Sequence, residues 1–493
     1  MARLARPLQA SSQLRIALAD PPHFDPVGRD FCLERPAAER RAFGITLTPE
    51  WLVNWMLDRC AAFGDFDCIV DPGCGTARFA SAAARRWPRV RVIGVESQQE
   101  LAALARDVLA NSGLNHRVEV AAADYRCFDL PRFAGRTLFI GNPPYVRHHD
   151  IAADWKIWYR EQMARQGIAA SALAGLHAHF FLKTALLARP GDAFCFVVPA
   201  EWLDSGYGAA LRRLLGSARL PVSELWLADK GTAVFDDALV STVVVAGVVG
   251  EPAATVRLGI LAEYDARPVR NAPRASLAAS ARWSELWHEE RPHAGRVEVG
   301  ELFAVKRGQV TGNNPLWIHG VRYRDPLPAA LLRPTVTRAR ELLDLPAAVL
   351  DDATSLRRVI DVPPDWREHF TGRDALHIER FIEWLEREGG RDSYIARHRT
   401  PWYRVRLGEP APILMTYMAR RAPRFVRNAA DAAILNIAHG LYPRQGMMAA
   451  ELDAAVAALN RCADRRDGRT YAGNLVKFEP GDAMRMRFSW ALD

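Results

Sequence analysis

The four residues Asn142-Pro143-Pro144-Tyr145 carry the most chemistry in this 493-residue chain. Two successive prolines fix φ and remove two N–H donors. The neighbouring carbonyls and the Asn142 side chain then stand as rigid acceptors facing a cleft. A planar exocyclic amino group has two N–H bonds to give to such acceptors, and Tyr145 offers a face for a base to stack on. Holding both N–H bonds orients the amine nitrogen for in-line attack on an electrophilic methyl group. That reaction needs positioning and electrostatics, not a strong base. A second constellation lies upstream, in Asp71-Pro72-Gly73-Cys74-Gly75-Thr76. Glycines in such a turn let a ligand come close to the backbone. Glu96 follows about 20 residues later, the place for a carboxylate that accepts hydrogen bonds from ribose hydroxyls. Asp124 is placed to accept from an adenine amino group. The three together predict a nucleoside-cofactor site.

These residues need a scaffold that brings strand ends together. Strand-sized apolar runs at 68–71, 90–96, 118–121, 138–141 and 193–199 alternate with helical patterns at 77–87, 98–112 and 177–188. That alternation predicts a doubly wound α/β domain with a parallel sheet. The glycine turn follows the first strand, and Asn142–Tyr145 follows the fourth. Ligands bind at the carboxyl ends of strands in such sheets. Runs at 223–228 and 241–249 have no helix between them, which predicts a terminal antiparallel hairpin. Ahead of the sheet, Thr48-Pro49-Glu50 reads as a helix start with Thr48 at the N-cap and Pro49 at the first helical position. Trp51, Leu52, Trp55 and Met56 supply its apolar stripe.

The sequence excludes several alternatives. There is no Gly-Lys-Ser/Thr phosphate loop, and Arg78 stands where a dinucleotide fingerprint needs its third glycine. Hydrophobic residues make up 49% of the chain and charged residues 25%, as in a globular protein. No apolar run reaches bilayer length or signal-peptide length, so a cytoplasmic protein with no membrane partner is expected. The seven cysteines (Cys32, Cys60, Cys68, Cys74, Cys127, Cys195 and Cys462) form no Cys-x-x-Cys pair. Reduced thiols are expected, with neither a disulfide framework nor a metal site.

The motifs and their order resemble those of the S-adenosylmethionine (SAM) dependent amino-methyltransferases. Specifically, the chain resembles the gamma-class, TaqI-like adenine-N6 DNA methyltransferases of restriction–modification systems, over about residues 44 to 490. The resemblance implies roles for named residues. Phe43–Pro49 is similar to the segment ahead of the SAM turn, with Thr48 near the methionine carboxylate. Asp71, Gly73 and Gly75 belong to the SAM loop. Glu96 matches the ribose acid, and Asp124 with Tyr125 the adenine-binding pair. Asn142, Pro143, Pro144 and Tyr145 match the catalytic motif. Val234-Phe235 matches the place of an aromatic that stacks on a flipped adenine, so Phe235 opposite Tyr145 would clamp the base. Residues 194–203 resemble the fifth strand and its sequel. Residues 306–313, 438–443 and 471–475 resemble segments of the recognition region; there His439 could meet a phosphate or be satisfied within the fold. The loop departs from the usual Ala-Cys-Gly-Ser-Gly: it reads Gly73-Cys74-Gly75-Thr76-Ala77, and Ala77 narrows the space after Gly75.

Charge locates the second half of the function. Residues 1–290 hold 33 Lys+Arg and 32 Asp+Glu; residues 291–493 hold 32 and 25, so most of the net +8 lies there. A basic half fits a polyanionic partner. Residues 401–450 hold seven Arg and two acids. Arg404, Arg406, Arg420, Arg421, Arg424 and Arg427, interleaved with aromatics, are the candidates for phosphate neutralisation and base contacts. The expected organisation is an arm at 1–43, a SAM-methyltransferase (Rossmann-like) domain at 44–250, a connector at 251–295 and a mixed α+β target-recognition domain at 296–493. The expected reaction is methylation of the N6 amino group of a flipped adenine in double-stranded DNA. The chain is expected to act as a monomer, nucleoid-associated when bound, modifying without cleaving, with any cognate restriction endonuclease separate. Two readings stay open beside it: methylation of a protein glutamine or an RNA guanine, and a catalytically silent DNA-binding module.

Overall fold

The computed structural model describes residues 25–35, 44, 46–131, 134–228, 234–235, 241–250, 252–262, 265–288, 296–471 and 475–490. Most of the expected arm, part of the segment before the SAM turn, much of 229–240 and residues 472–474 lie outside them. The chain forms two compact units, 1–288 and 289–493.

The first unit is built on a nine-stranded sheet. In chain order its elements are α1 (Pro26–Glu34), α2 (Glu50–Ala61), β1 (Cys68–Pro72), α3 (Arg78–Arg86), β2 (Arg91–Glu96), α4 (Gln99–Asn111), β3 (Val118–Ala122), β4 (Thr137–Gly141), α5 (Ala153–Arg165), α6 (Leu176–Leu187), β5 (Ala193–Pro199), α7 (Ala209–Gly216), β6 (Glu224–Ala228), β7 (Thr242–Val248), β8 (Thr255–Leu261) and β9 (Arg267–Pro273). The spatial order is β3-β2-β1-β4-β5-β7-β6-β8-β9. β3, β2, β1, β4 and β5 run parallel, and β7 runs antiparallel to both β5 and β6. The strands β1 and β4 are buried along their whole length. That is why they read as continuous apolar runs: helices cover both faces of a parallel sheet.

Successive strand residues serve opposite layers. Val70 and Phe139 join a core with Phe181 of α6 and Leu211 and Leu214 of α7. Ile69 and Leu138 join another with Leu52 and Met56 of α2, Ala80 of α3 and Ala102 of α4. Each large side chain so buried contributes roughly 1.5–3 kcal/mol. This double layer fixes the strand ends from which the site projects.

The structure departs from expectation in three places. The stretch expected to be a connector continues the sheet: β8 pairs parallel with β6, and β9 antiparallel with β8. Trp283 and Trp287 of the same stretch are buried in the first unit's core. The helix expected to start at Pro49 has Pro49 as its N-cap, with no side-chain cap from Thr48. The Thr48 hydroxyl serves the site instead. Residues 25–35 of the expected arm form α1, which contributes to that site as well.

The second unit is mixed α+β. Five strands, Phe303–Arg307, Ala438–Pro443, Ile413–Thr416, Phe425–Asn428 and Val349–Leu350, form its main sheet in that spatial order. An amphipathic helix spans Gly372–Arg387 and ends before Gly389, whose φ is +75°. Ile378, Phe381 and Leu385 make its buried face, whereas Leu376 is exposed.

Candidate active site

The cofactor loop takes its shape from backbone that only small residues allow. Between β1 and α3, φ is +71° at Gly73, +54° at Gly75 and +65° at Ala77. The first two need glycine. Ala77 holds a left-handed conformation as the N-cap of α3 and is fully buried. The amide of Gly73 donates to the Val95 carbonyl at 2.8 Å, and that of Gly75 donates to Glu96 Oε2 at 3.0 Å. Glu96 Oε1 accepts from the Gln98 amide at 2.9 Å. Each carboxylate oxygen keeps capacity for a further donor, such as a ribose hydroxyl. Burial raises the Glu96 pKa.

Asp71 has a fastening role. Its Oδ2 accepts the Ala80 amide in the first turn of α3 at 3.1 Å, while Oδ1 is buried with no partner. Burial pushes this carboxyl up to about 8. Its place is made by Gly141, where a Cβ would fall 2.7 Å from Asp71 Oδ1.

Asn142 leaves the end of β4 with its side-chain orientation fixed. Nδ2 donates to the Thr46 carbonyl and to Thr48 Oγ1, both at 3.1 Å. A carbonyl oxygen can only accept, so the amide nitrogen faces Thr46. Oδ1 therefore points the other way, and it is buried with no partner. Pro144 packs on the cofactor loop: a Cβ on Gly73 would come within 3.2 Å of Pro144 Cδ. Tyr145 is pinned through its amide to the Gly44 carbonyl at 3.4 Å. A Cβ on Gly44, where φ is +68°, would lie 2.6 Å from the Tyr145 nitrogen. The rings of Tyr145 and Phe235 meet edge to face, with centroids 5.9 Å apart and planes at 88°. Phe235 is 2% exposed, and the Tyr145 hydroxyl is buried without a partner.

At the far end of the cleft, both oxygens of Asp124 engage Arg126 through its backbone amide and guanidinium, the shortest contact being 2.5 Å. Burial alone would raise the Asp124 carboxyl; the hydrogen bonds from Arg126 outweigh it and hold the group below its ordinary value. The Arg126 guanidinium lies 3.7 Å from the centroid of the Trp155 ring. Arg126 Nη1 is buried with no partner. Tyr125 is buried, with its hydroxyl 3.0 Å from Thr184 Oγ1 and its ring against Phe180.

A cavity of about 400 Å³ joins these groups, lined among others by Gly73, Glu96, Asp124, Asn142 and Pro144. Its size suits a small ligand. The left-handed glycines and the Glu96 carboxylate fit an extended nucleoside cofactor. The structure thus brings Thr48, Asp71, Gly73, Gly75, Glu96, Asp124, Tyr125, Asn142 and Pro144 to one cavity. Phe31, Arg78, Arg126, Trp155 and Phe180 also line it and were not legible as site residues.

In the second unit the arginines divide. Arg424 donates to the Leu343, Leu345 and Ala347 carbonyls. Arg427 pairs with Asp453 at 3.0 Å and also donates to the Ala449 carbonyl. These two are held by their own fold. Arg421 donates to the Leu343 carbonyl and Arg406 to the Thr400 carbonyl, yet both residues remain exposed, as does Arg420. Arg404 is half-buried. His439 is fully buried, with Nε2 2.6 Å from the Phe478 carbonyl oxygen and its ring against Tyr417. Its Nε2 is satisfied within the fold and its full burial keeps it from a phosphate, while Nδ1 is buried with no partner.

The parallel sheet, glycine loop and acids at successive strand ends define a SAM-dependent methyltransferase, with SAM as methyl donor. Three family models match the chain: a methyltransferase domain at 69–152, the Eco57I restriction-modification methylase at 130–221, and the C-terminal domain of Type II methyltransferase M.Eco57I at 281–492. The chain is 44% identical over 469 residues to Type II methyltransferase M.XamI of Xanthomonas campestris pv. amaranthicola, covering 94% of this chain and 86% of that protein. It is 21% identical over 494 residues to Type II methyltransferase M.AccI of Acinetobacter calcoaceticus, covering 92% and 87%. Among solved structures, the Type IIL restriction-modification enzyme MmeI, determined in complex with DNA, is similar in fold. Its TM-score is 0.55 at 11% identity, over 90% of this chain and 63% of that one. The type IIG restriction endonuclease BpuSI matches with a TM-score of 0.46 at 13% identity, over 93% of this chain and 60% of that one. The chain thus spans less than two thirds of either structure's length. It belongs to the Type II methyltransferases of restriction–modification systems, a family of DNA methyltransferases. Among the described residues no helix is long and apolar enough to cross a membrane.

Proposed function

We propose that the chain methylates the N6 amino group of an adenine flipped out of duplex DNA. The observation that carries this reading is the buried, unpartnered Oδ1 of Asn142 beside the cofactor loop. A buried acceptor without a partner costs free energy unless a ligand satisfies it. An exocyclic amine does so: Asn142 Oδ1 takes one N–H and the Pro143 carbonyl the other. With both protons held, the nitrogen lone pair is directed at the methyl. The same acceptors stabilise positive charge as it develops on the amine, in a site from which burial excludes water. SAM supplies the electrophilic methyl group. In this reading Glu96 takes the ribose hydroxyls and Thr48 lies near the methionine carboxylate. Tyr125 and the Asp124–Arg126 pair border the adenine moiety. Tyr145 and Phe235 take the target base between them.

An amino group paired inside a duplex cannot reach a buried methyl donor, so the base must leave the stack, at a cost of a few kcal/mol. The exposed arginines of the second unit, Arg420 foremost, would supply phosphate contacts that offset it. The chain would act as a monomer, with a separate endonuclease cutting the unmodified sequence. The test is incubation with labelled SAM and duplex DNA, RNA or protein, followed by nucleoside mass spectrometry. N6-methyladenine in the DNA is expected. Label confined to RNA or protein, or a methylated cytosine instead, would overturn the reading. No label anywhere, despite binding of SAM and DNA, would favour a silent binding module.

A further inference from the structure

The N-terminal helix α1 is fastened to the cofactor cleft at both ends. At one end, Asp25 caps it: Asp25 Oδ1 accepts the Gly28 amide at 2.7 Å. Its Oδ2 accepts from the Thr76 hydroxyl in the cofactor loop and from Arg78 Nε at 2.8 Å. This ion pair is nearly dry, with side chains 5% and 9% exposed. Arg78 Nη1 continues to the Thr48 carbonyl at 2.7 Å, and the Thr48 hydroxyl holds Asn142. At the other end, Phe31 packs with Leu101 and Leu104 of α4, and Arg35 pairs with Glu100. Phe31, Thr76 and Arg78 all line the cavity that also holds Gly75 and Glu96.

We infer that residues 25–35 form a wall of the SAM site, and that Asp25 is a positioning residue for the amino-acid end of the cofactor. The direction along the cleft rests on the function proposed above and follows from two points. Glu96 marks the ribose. The reacting methyl must lie by Asn142. The amino-acid end then continues past the sulfur toward Thr48, Arg78 and Thr76, the three groups tied directly or through Arg78 to Asp25. A dry carboxylate holding a dry guanidinium fixes the latter in one geometry, and removing either partner leaves an uncompensated buried charge. Phe31, by contrast, covers the cleft beside Leu101 on the helix that follows the ribose acid, so it acts on the nucleoside end.

The two ends separate by ligand. Binding to the full chain is measured by calorimetry with S-adenosylhomocysteine, which carries the amino-acid end, and with 5′-methylthioadenosine, which lacks it. Asp25→Ala should weaken S-adenosylhomocysteine about tenfold or more and 5′-methylthioadenosine less than about threefold. Phe31→Ala should weaken both to a similar degree. Arg78→Met combined with Asp25→Ala should be less than additive, because the two act as one unit. If Asp25→Ala fails to fold, Phe31→Ala and the double variant carry the test. Unchanged affinity for both ligands in folded variants would overturn the inference and leave the SAM site standing. Failure of the unaltered chain to bind S-adenosylhomocysteine would instead strike at the cofactor site itself.

Discussion

Asn142 Nδ2 and the Thr48 hydroxyl are joined by a hydrogen bond of 3.1 Å that ties the end of β4 to the segment before α2. Thr48 gives up helix capping for this contact. The consequence is an amide that cannot flip, with its buried oxygen turned away from the Thr46 carbonyl. Asn142→Ala removes the acceptor without touching the cofactor loop. Its kcat should fall by about a hundredfold to a thousandfold, as when one preorganised hydrogen-bonding group is lost from an active site. Affinity for S-adenosylhomocysteine, measured by calorimetry, should stay within about threefold. Thr48→Val keeps the shape and deletes the hydroxyl. It should give a smaller loss of kcat, about tenfold, since the Thr46 carbonyl still holds the amide. Full activity of Asn142→Ala would exclude this side chain from the reaction.

The perpendicular contact of Tyr145 with Phe235 leaves no slot for a base. Two faces stacked on one ring must stand roughly 7 Å apart and nearly parallel, given contact distances of about 3.5 Å on each side. At 5.9 Å and 88°, one ring would have to turn to admit a stacked base. Loss of a stacking face costs about 1–3 kcal/mol per base. Phe235→Ala should therefore lower kcat on fully paired DNA by about tenfold to a hundredfold, through a smaller flipped fraction. On a duplex whose target adenine is mispaired, extrusion is easier, and the loss in kcat should be clearly smaller. Equal losses on both substrates would argue against a stacking role.

The site was legible in the sequence where its parts are local, and hidden where they are distant. Asp71–Thr76 and Asn142–Tyr145 each lie in one turn after a strand, and fully buried parallel strands announce themselves as apolar runs. The helix α5 buries only Tyr159 and Met163, so it shows no stripe, although its Trp155 lines the cavity. The edge strand β9 is mostly exposed and carries two prolines, the composition of a protected edge and of a loop alike. Asp25 reaches Thr76 and Arg78 across 51 and 53 positions, and no local pattern encodes such a pairing. Charge counting could not tell a guanidinium that caps carbonyls, as in Arg424, from one that faces solvent, as in Arg420.

That last distinction gives a paired prediction for the second unit. Arg424 satisfies three backbone carbonyls at 343–347. Arg424→Ala should destabilise the unit by about 2 kcal/mol, read as a lower midpoint in urea unfolding. Arg420 is exposed, and truncating it should leave that midpoint in place. If Arg420 meets a phosphate, Arg420→Ala should lower DNA affinity and reduce the slope of log K against log salt by about 0.9. An unchanged slope would remove Arg420 from the interface.

The histidines of α6 make the first unit sensitive to acid. His179 stacks on Tyr159, with ring centroids 4.5 Å apart, and is flanked by Trp158. Burial lowers its pKa to about 3, helped by the positive charge of Arg126 and by His177, while Asp124 acts in the opposite sense. Burial likewise lowers His177 to about 4. Both are neutral in the folded chain. Once unfolded they regain the ordinary value of 6.5 and take up protons below it. The unfolded state then binds more protons, so the stabilising contribution is fully present above pH 6.5 and is lost as pH falls toward the folded values. The slope reaches about 1.4 kcal/mol per pH unit for each histidine. His179→Phe keeps the stack and deletes the proton site. Urea unfolding at about pH 7.5 and about pH 5 should show the variant losing less stability than the unaltered chain, by up to about 2 kcal/mol. Equal losses would mean that His179 is already protonated in the fold.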